Sequence, residues 1–126
     1  MEGKRIKIRV SGLEVIAHLN QSRTAQLIWE SLPIRSQINI WGEEIYFPIP
    51  VKGGEEESQE VVGKGDVGYW PPGEALCIFF GPTPISKGEE IRPASPVNIV
   101  GRVEGDLPVL KGMALEGAEI TVERVG

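Results

Sequence analysis

The sequence predicts a mainly β fold: a small closed barrel of about eight strands with one α-helix and one short helical turn. Three observations carry it. Apolar and polar residues alternate in most periodic segments, which is the period of half-buried strands. Sixteen glycines and ten prolines in 126 residues punctuate those segments at short intervals. Only one segment carries a long helical stripe. Closure is the arrangement that leaves so many short strands without exposed edges.

The elements follow in order. In KRIKIRV, Ile6, Ile8 and Val10 share one face and Arg5, Lys7 and Arg9 the other. Ser11-Gly12 makes a tight turn into LEVIAHL, where Leu13, Val15, Ala17 and Leu19 share a side, so the chain opens on a hairpin. SRTAQLIWESLP changes period, with Ala25, Ile28, Trp29 and Leu32 at i, i+3, i+4 and i+7. Ser22 or Thr24 caps that helix, and Pro33 ends it by pushing Leu32 out of helical geometry.

Strands return with IRSQINIW, a turn at Gly42-Glu43, and EIYFPIPV, closed by its prolines. KGGEEESQE reads as a mobile, solvated hairpin tip. ALCIFFG is a strand, and VNIVGRVEG and AEITVERV are two more. Between those two, GDLPVLKGM offers Asp106 as N-cap, Pro108 in the first turn and Gly112 at the end of a short helical turn.

The totals narrow the function classes. Residues 1–126 are one domain's worth, enough to bury roughly two-thirds of the unfolded surface. A formal charge of −5 without a basic run argues against a nucleic-acid partner. One cysteine, Cys77, allows no internal disulfide and no thiolate cluster. The sequence shows neither a signal peptide nor a membrane span, so a soluble cytoplasmic protein without membrane partners is expected.

The motif-like segments resolve into ordinary structure. GKGDVG, from Gly63 to Gly68, matches G-x-G-x-x-G, but YWPP follows where a dinucleotide site needs a helix. Glu55, Glu56 and Glu57 have no histidine near them and read as solvated loop. His18, the single histidine, faces away from the apolar side of its strand, and Cys77 sits mid-strand as a buried thiol. No cofactor and no metal are expected.

One stretch stands apart. GDVGYWPPGEALCIFFGPTP, residues 65–84, holds four of the eight aromatic residues among glycines and prolines. Along ALCIFFG, Ala75, Cys77 and Phe79 oppose Leu76, Ile78 and Phe80. The smaller set suits the interior of a narrow barrel, which would turn the larger set outward and require a cover: the chain's own loops, a ligand or a partner chain. A cleft beside EIYF and ALCIFF would be walled by Tyr46, Tyr69, Trp70 and Phe80. Tyr69 and Trp70 are neighbours on extended chain, so they point to opposite faces and one wall takes one of them. Glu44 suits a cation or an amide, Thr83 and Ser86 a ligand's polar edge, and Arg92 is the nearest loop base.

The order of elements resembles cyclophilins: a hairpin, a helix carrying Thr24, Ala25 and Leu32, and the pair Phe79-Phe80 near a strand end. NIVGRVEGDLPVLKGM followed by EITVERV resembles that fold's penultimate strand, short helix and closing strand. WGEEIYFPIPV and the 65–86 segment resemble small cyclophilin-like proteins of bacteria and archaea whose function is uncharacterised. The resemblance spans nearly the whole chain and implies a cyclophilin-like barrel. Prolyl isomerases of that family carry F-H-R and F-M-x-Q segments; here the chain reads EEIYFPIPVKGGEEESQE, with no arginine and acid in place of base.

Three functions follow as expectations. The first is a non-enzymatic or weakly enzymatic module that binds a small molecule or short peptide. The second is a prolyl isomerase with a rebuilt site, which requires Arg92 or Arg35 to reach the cleft of Phe80. The third is a structural or homodimerisation domain that covers the Leu76, Ile78, Phe80 face with another chain.

Overall fold

The computed structural model describes residues 4–11, 13–105 and 116–125. Nine strands form one antiparallel sheet: β1 (Lys4–Val10), β2 (Leu13–Leu19), β3 (Ile34–Gln37), β4 (Asn39–Trp41), β5 (Glu44–Pro48), β6 (Asp66–Trp70), β7 (Ala75–Phe79), β8 (Asn98–Glu104) and β9 (Glu119–Arg124). Their order is β3-β9-β1-β2-β8-β6-β7-β5-β4. The two edge strands, β3 and β4, are consecutive in the chain and separated by Ile38 alone. The sheet therefore curls until a single residue carries the chain from one edge to the other. Ile38 anchors this seam by bonding Ala118 O and Gly117 N, at 2.9 and 2.8 Å, and Ser36 Oγ crosses it to Pro48 O at 2.8 Å. The result is a nearly closed barrel, with nine strands among the described residues where the sequence pattern counted about eight.

Alternation sorts the side chains as the opening hairpin predicts. Ile6, Ile8, Val10, Val15, Ala17 and Leu19 all enter the core, and Val10 pairs with Leu13 across the two-residue turn. The helix α1 (Arg23–Ser31) lays Ala25 and Ile28 on the same core. Ser22 is its N-cap, accepting from Ala25 N at 3.1 Å, while Thr24 lies buried inside the first turn. Its far end is held by Arg124, whose guanidinium donates to Trp29 O at 2.9 and 3.2 Å and lies 4.8 Å from the Trp29 ring centre.

Two expectations are corrected. Leu76, Ile78 and Phe80 point into the barrel, where they join Ile45, Phe47, Val67 and Tyr69 in the main core. Ala75, Cys77 and Phe79 take the outer face and are buried there as well. The lumen takes the larger set because these side chains interdigitate there with the inward rows of the other strands. That removes the outward apolar row, and with it the reason to place a partner chain over Phe80.

The acid-rich segment is the second correction. Most of its residues are exposed, as expected, but β5 and β6 each pair with β7 and not with one another, so it is no hairpin tip, and its backbone and Glu56 are tied down. The Glu56 carboxylate accepts from Arg23 N and Thr24 N, at 3.0 and 2.8 Å, and from Thr24 Oγ1 at 2.7 Å. A carboxylate at a helix start satisfies orphan N–H groups and opposes the helix dipole. Buried Asn98 ties the segment down further, accepting from Glu56 N at 2.9 Å and donating to Gly54 O at 2.8 Å. The helical turn expected at Asp106–Gly112 lies outside the described residues. Among the described residues no helix is long and apolar enough to cross a membrane.

Candidate functional site

The site lies on the outer face of β4, β5, β7 and β6. Period two puts Glu44 and Tyr46 of β5 on that face, with Trp41 of β4 opposite Glu44 and Cys77 of β7 opposite Tyr46. Gly68 of β6 faces Cys77 on the other side. Its lack of a side chain has a consequence. A Cβ there would meet Val97 Cγ2 at 3.0 Å, so glycine lets the 81–97 segment settle onto the sheet. Val62, Cys77, Phe79, Ile91 and Val97 then form a second, smaller core outside the barrel.

The second core does not fill the space it encloses. A cavity of about 240 Å³ opens between the sheet and the 81–97 segment, lined by Trp41, Glu44, Tyr46, Trp70, Cys77, Pro93, Ala94 and Val97. Trp70 is held in place from three sides. Its Nε1–H donates to Ser95 Oγ at 2.6 Å, Tyr46 meets it edge-on with centroids 6.4 Å apart, and the ring lies over Gly73, where a Cβ would come within 2.6 Å. An indole fixed by packing and a hydrogen bond is a rigid wall.

Among the described residues Glu44 is the one carboxyl in this apolar lining. It is 5% exposed, and its Oε1 has no hydrogen-bond partner. Burial pushes its pKa up to about 7, against a smaller lowering by the hydrogen bond from Cys77. Burial also raises the Cys77 thiol well above its ordinary value, with the Glu44 charge and hydrogen bond adding to the shift. The thiol is therefore held protonated, as a donor to the carboxyl and not as a nucleophile.

Of the eight residues named from sequence, the structure brings together Glu44, Tyr46 and Trp70. Tyr69 points the other way, into the main core, where its hydroxyl donates to Val51 O at 2.6 Å and accepts from Gly53 N at 3.0 Å. Phe80 is buried in the core and reaches only the floor of a separate shallow groove beside Lys64 and Glu90. Thr83 and Ser86 clamp their own loop: Ser86 Oγ accepts from Thr83 N and Arg92 N, at 2.9 and 3.0 Å, and Thr83 Oγ1 donates to Arg92 O. The Arg92 guanidinium turns to Glu90 at 2.8 Å and Glu60 at 3.9 Å, and Arg35 is exposed beside Glu119.

Sequence reasoning missed Trp41, Cys77, Pro93, Ala94 and Val97. Trp41 had a signal, because the turn at Gly42-Glu43 makes Trp41 and Glu44 a cross-strand pair on one face. The loop residues had none. GKGDVG is likewise resolved as structure: Asp66 folds back onto Gly63 N at 2.7 Å, receives Arg102 at 2.8 Å, and begins β6. Among the described residues no group of His, Cys, Asp and Glu is arranged to hold a metal ion.

Comparison with known proteins places this geometry in a family. No curated protein matches the chain in sequence. The solution structure of the hypothetical protein AF2241 from Archaeoglobus fulgidus is similar to it over 98% of this chain and 95% of that one, with 44% identity and a TM-score of 0.83. The family model described as cyclophilin-like matches residues 4–123. The chain belongs to the cyclophilin-like family.

Proposed function

We propose that this cyclophilin-like domain is a binding module, non-enzymatic or weakly enzymatic, that takes a small molecule or one side chain of a short peptide into the cavity beside Glu44. One observation carries the reading. A carboxyl oxygen is buried without a partner at the wall of a cavity formed by Trp41, Tyr46 and Trp70. Leaving a buried polar atom unpaired costs about 1–3 kcal/mol. A ligand group that pairs with it recovers that cost, and fixed aromatic walls supply the contact area. The volume falls below the ~300–1,000 Å³ of pockets for drug-sized ligands, which favours a compact group.

Prolyl isomerisation is the weaker reading, because it asks for a cationic donor beside an apolar pocket. Among the described residues no arginine or lysine lines the cavity, Phe80 lies in the main core, and the Arg92 guanidinium is engaged by Glu90. A protease-coupled isomerisation assay of the wild type beside Phe80→Ala is expected to show no acceleration by either. Acceleration by the wild type alone would overturn the binding-module reading.

The direct test is a thermal-shift screen of small molecules and short peptides, repeated on Trp41→Ala and Trp70→Ala. A true ligand raises the transition temperature of the wild type by mass action and loses that effect in both variants. Stabilisation that persists in both would mean binding elsewhere and would sink the assignment to this cavity.

A further inference from the structure

We propose that the cavity takes a tertiary alkylammonium group, its single N–H donating to Glu44 and its alkyl carbons resting on the aromatic walls. The inference rests on the binding-module reading and adds the chemistry of the ligand.

The walls argue for a cation. Indole and phenol rings present negative faces that attract a positive charge, most strongly where water is excluded. Trp29 already has its cations, Arg124 at 4.8 Å and Lys4 at 5.9 Å from the ring centre. Among the described residues no such cation lies over Trp41 or Trp70, although both line a cavity. A ligand cation would supply the charge that suits them.

Glu44 argues for the same sign. Facing it are Trp41 from β4, Tyr46 on its own strand, Cys77 from β7 and Pro93, Ala94 and Val97 from the covering segment. The titratable groups among these are the Cys77 thiol and the Tyr46 phenol, neither of them a cation. Arg92, next along the chain to Pro93, is engaged by Glu90 and Glu60. Among the described residues no base lines the cavity to compensate the carboxylate, and a bound cation would do so.

The donor count selects the degree of substitution. Among the described residues one side-chain acceptor in the lining is buried without a partner, Glu44 Oε1. A primary ammonium brings three N–H donors, more than this one unpaired carboxyl oxygen serves beside mostly apolar walls. A quaternary ammonium brings none and leaves Oε1 unpaired. One N–H with alkyl groups elsewhere matches one acceptor and three rings.

Binding should then be linked to a proton. Burial pushes Glu44 up to about 7, and a cation favours its ionised form, so binding near neutrality displaces a proton. The competent fraction of the carboxyl rises across that range, which predicts roughly a tenfold gain in affinity between about pH 6 and pH 8.

The test is an NMR titration of the intact protein, following the indole N–H signals of Trp41 and Trp70. The probes are trimethylammonium, tetramethylammonium, methylammonium and two neutral molecules, tert-butanol and dimethylacetamide. Trimethylammonium is expected to bind tightest, with a Kd on the order of millimolar for so few atoms. Its affinity should rise with pH as stated, and Glu44→Gln should weaken it about tenfold or more and abolish the pH dependence. The pH series on the wild type stands even if the variant does not fold. Methylammonium binding as well as trimethylammonium, or affinity indifferent to pH, overturns the proposal. Neutral probes moving the two indoles while cations do not would overturn the ligand class and leave the binding-module reading standing. Silence from every probe overturns the ligand class, and the thermal-shift screen then decides the broader reading separately.

Discussion

The two faces of strands β5, β6 and β7 are made of alternating residues of the same segments, yet they are finished differently. On the inner face Phe47, Val67, Tyr69, Leu76 and Ile78 are wholly buried, and the one polar group among them, the Tyr69 hydroxyl, both donates and accepts. On the outer face Glu44, Tyr46, Trp70 and Cys77 leave a cavity and an unpartnered carboxyl oxygen. A folded chain normally satisfies its buried polar groups. The inner face does so and serves stability. Among the described side chains the outer face departs from the rule at one atom, Glu44 Oε1, and its residue lines a hole.

The largest effects should fall on the inner face. Phe47→Ala removes a wholly buried ring from the barrel core and should cost about 3–5 kcal/mol, read as a lowered midpoint in urea unfolding. Trp70→Ala should cost less, since its ring is only partly buried and borders an existing cavity. Equal losses would mean that the outer face is as structural as the inner one, and the contrast would break.

Next comes the pH dependence carried by Glu44. Its folded-state pKa is raised from an ordinary 4.5 to about 7, so between those values the folded protein holds a proton that the unfolded chain releases. Stability from this group is present below pH 4.5 and is lost as pH rises through 7, a total of about 3 kcal/mol. Unfolding free energies of the wild type minus those of Glu44→Gln, measured near pH 5 and pH 8, isolate this slope. A difference that does not change with pH would show that Glu44 is better solvated than its burial indicates.

These two faces also separate what sequence could and could not tell. Period two made the opening hairpin legible, and Ser22 and Pro33 bounded the helix, because strand alternation and helix ends are local physics. The same period paired Tyr46 with Glu44 and set Tyr69 against Trp70. It could not decide which set faced inward along ALCIFF. Barrel width is a property of all nine strands, and both sets are apolar, so local pattern gave no vote. Pro93, Ala94 and Val97 were invisible for a related reason: their docking depends on Gly68, roughly thirty residues earlier in the chain and lacking any side chain to mark a contact. Glu56 looked like solvated acid because its partners are backbone N–H groups of a helix more than thirty positions away.

Gly68→Ala tests whether the outer face depends on that close approach. The new Cβ would sit 3.0 Å from Val97 Cγ2 and 3.4 Å from Phe79 Cε2, inside the second core. Overpacking of this kind costs about 1–3 kcal/mol, and relief is available by lifting the 81–97 segment. The expected signature is a shifted Trp70 indole N–H, as its bond to Ser95 weakens, with the inner-face resonances little changed. Shifts spread evenly through the barrel would mean that the two cores move as one.

The smallest effect contrasts two carboxyls of opposite fate. Glu44 is raised by burial, whereas Glu56 is lowered by its hydrogen bonds, first from the Thr24 hydroxyl, then from the Thr24 and Arg23 N–H groups. Glu56→Gln keeps the shape but loses the charge at the helix start, and should cost about 1 kcal/mol at neutral pH, in the range of helix caps. Its pH signature has the reverse sign: the stabilisation is present above the ordinary carboxylate value of 4.5 and is lost as pH falls through the lowered one. Wild-type stability should thus fall on acidification below that value through Glu56, and fall on alkalinisation toward 7 through Glu44. Glu56→Gln should remove the first slope and leave the second. If it altered both, the 53–56 segment would be coupled to the cavity across β8 and β6, and the outer face would extend to the helix.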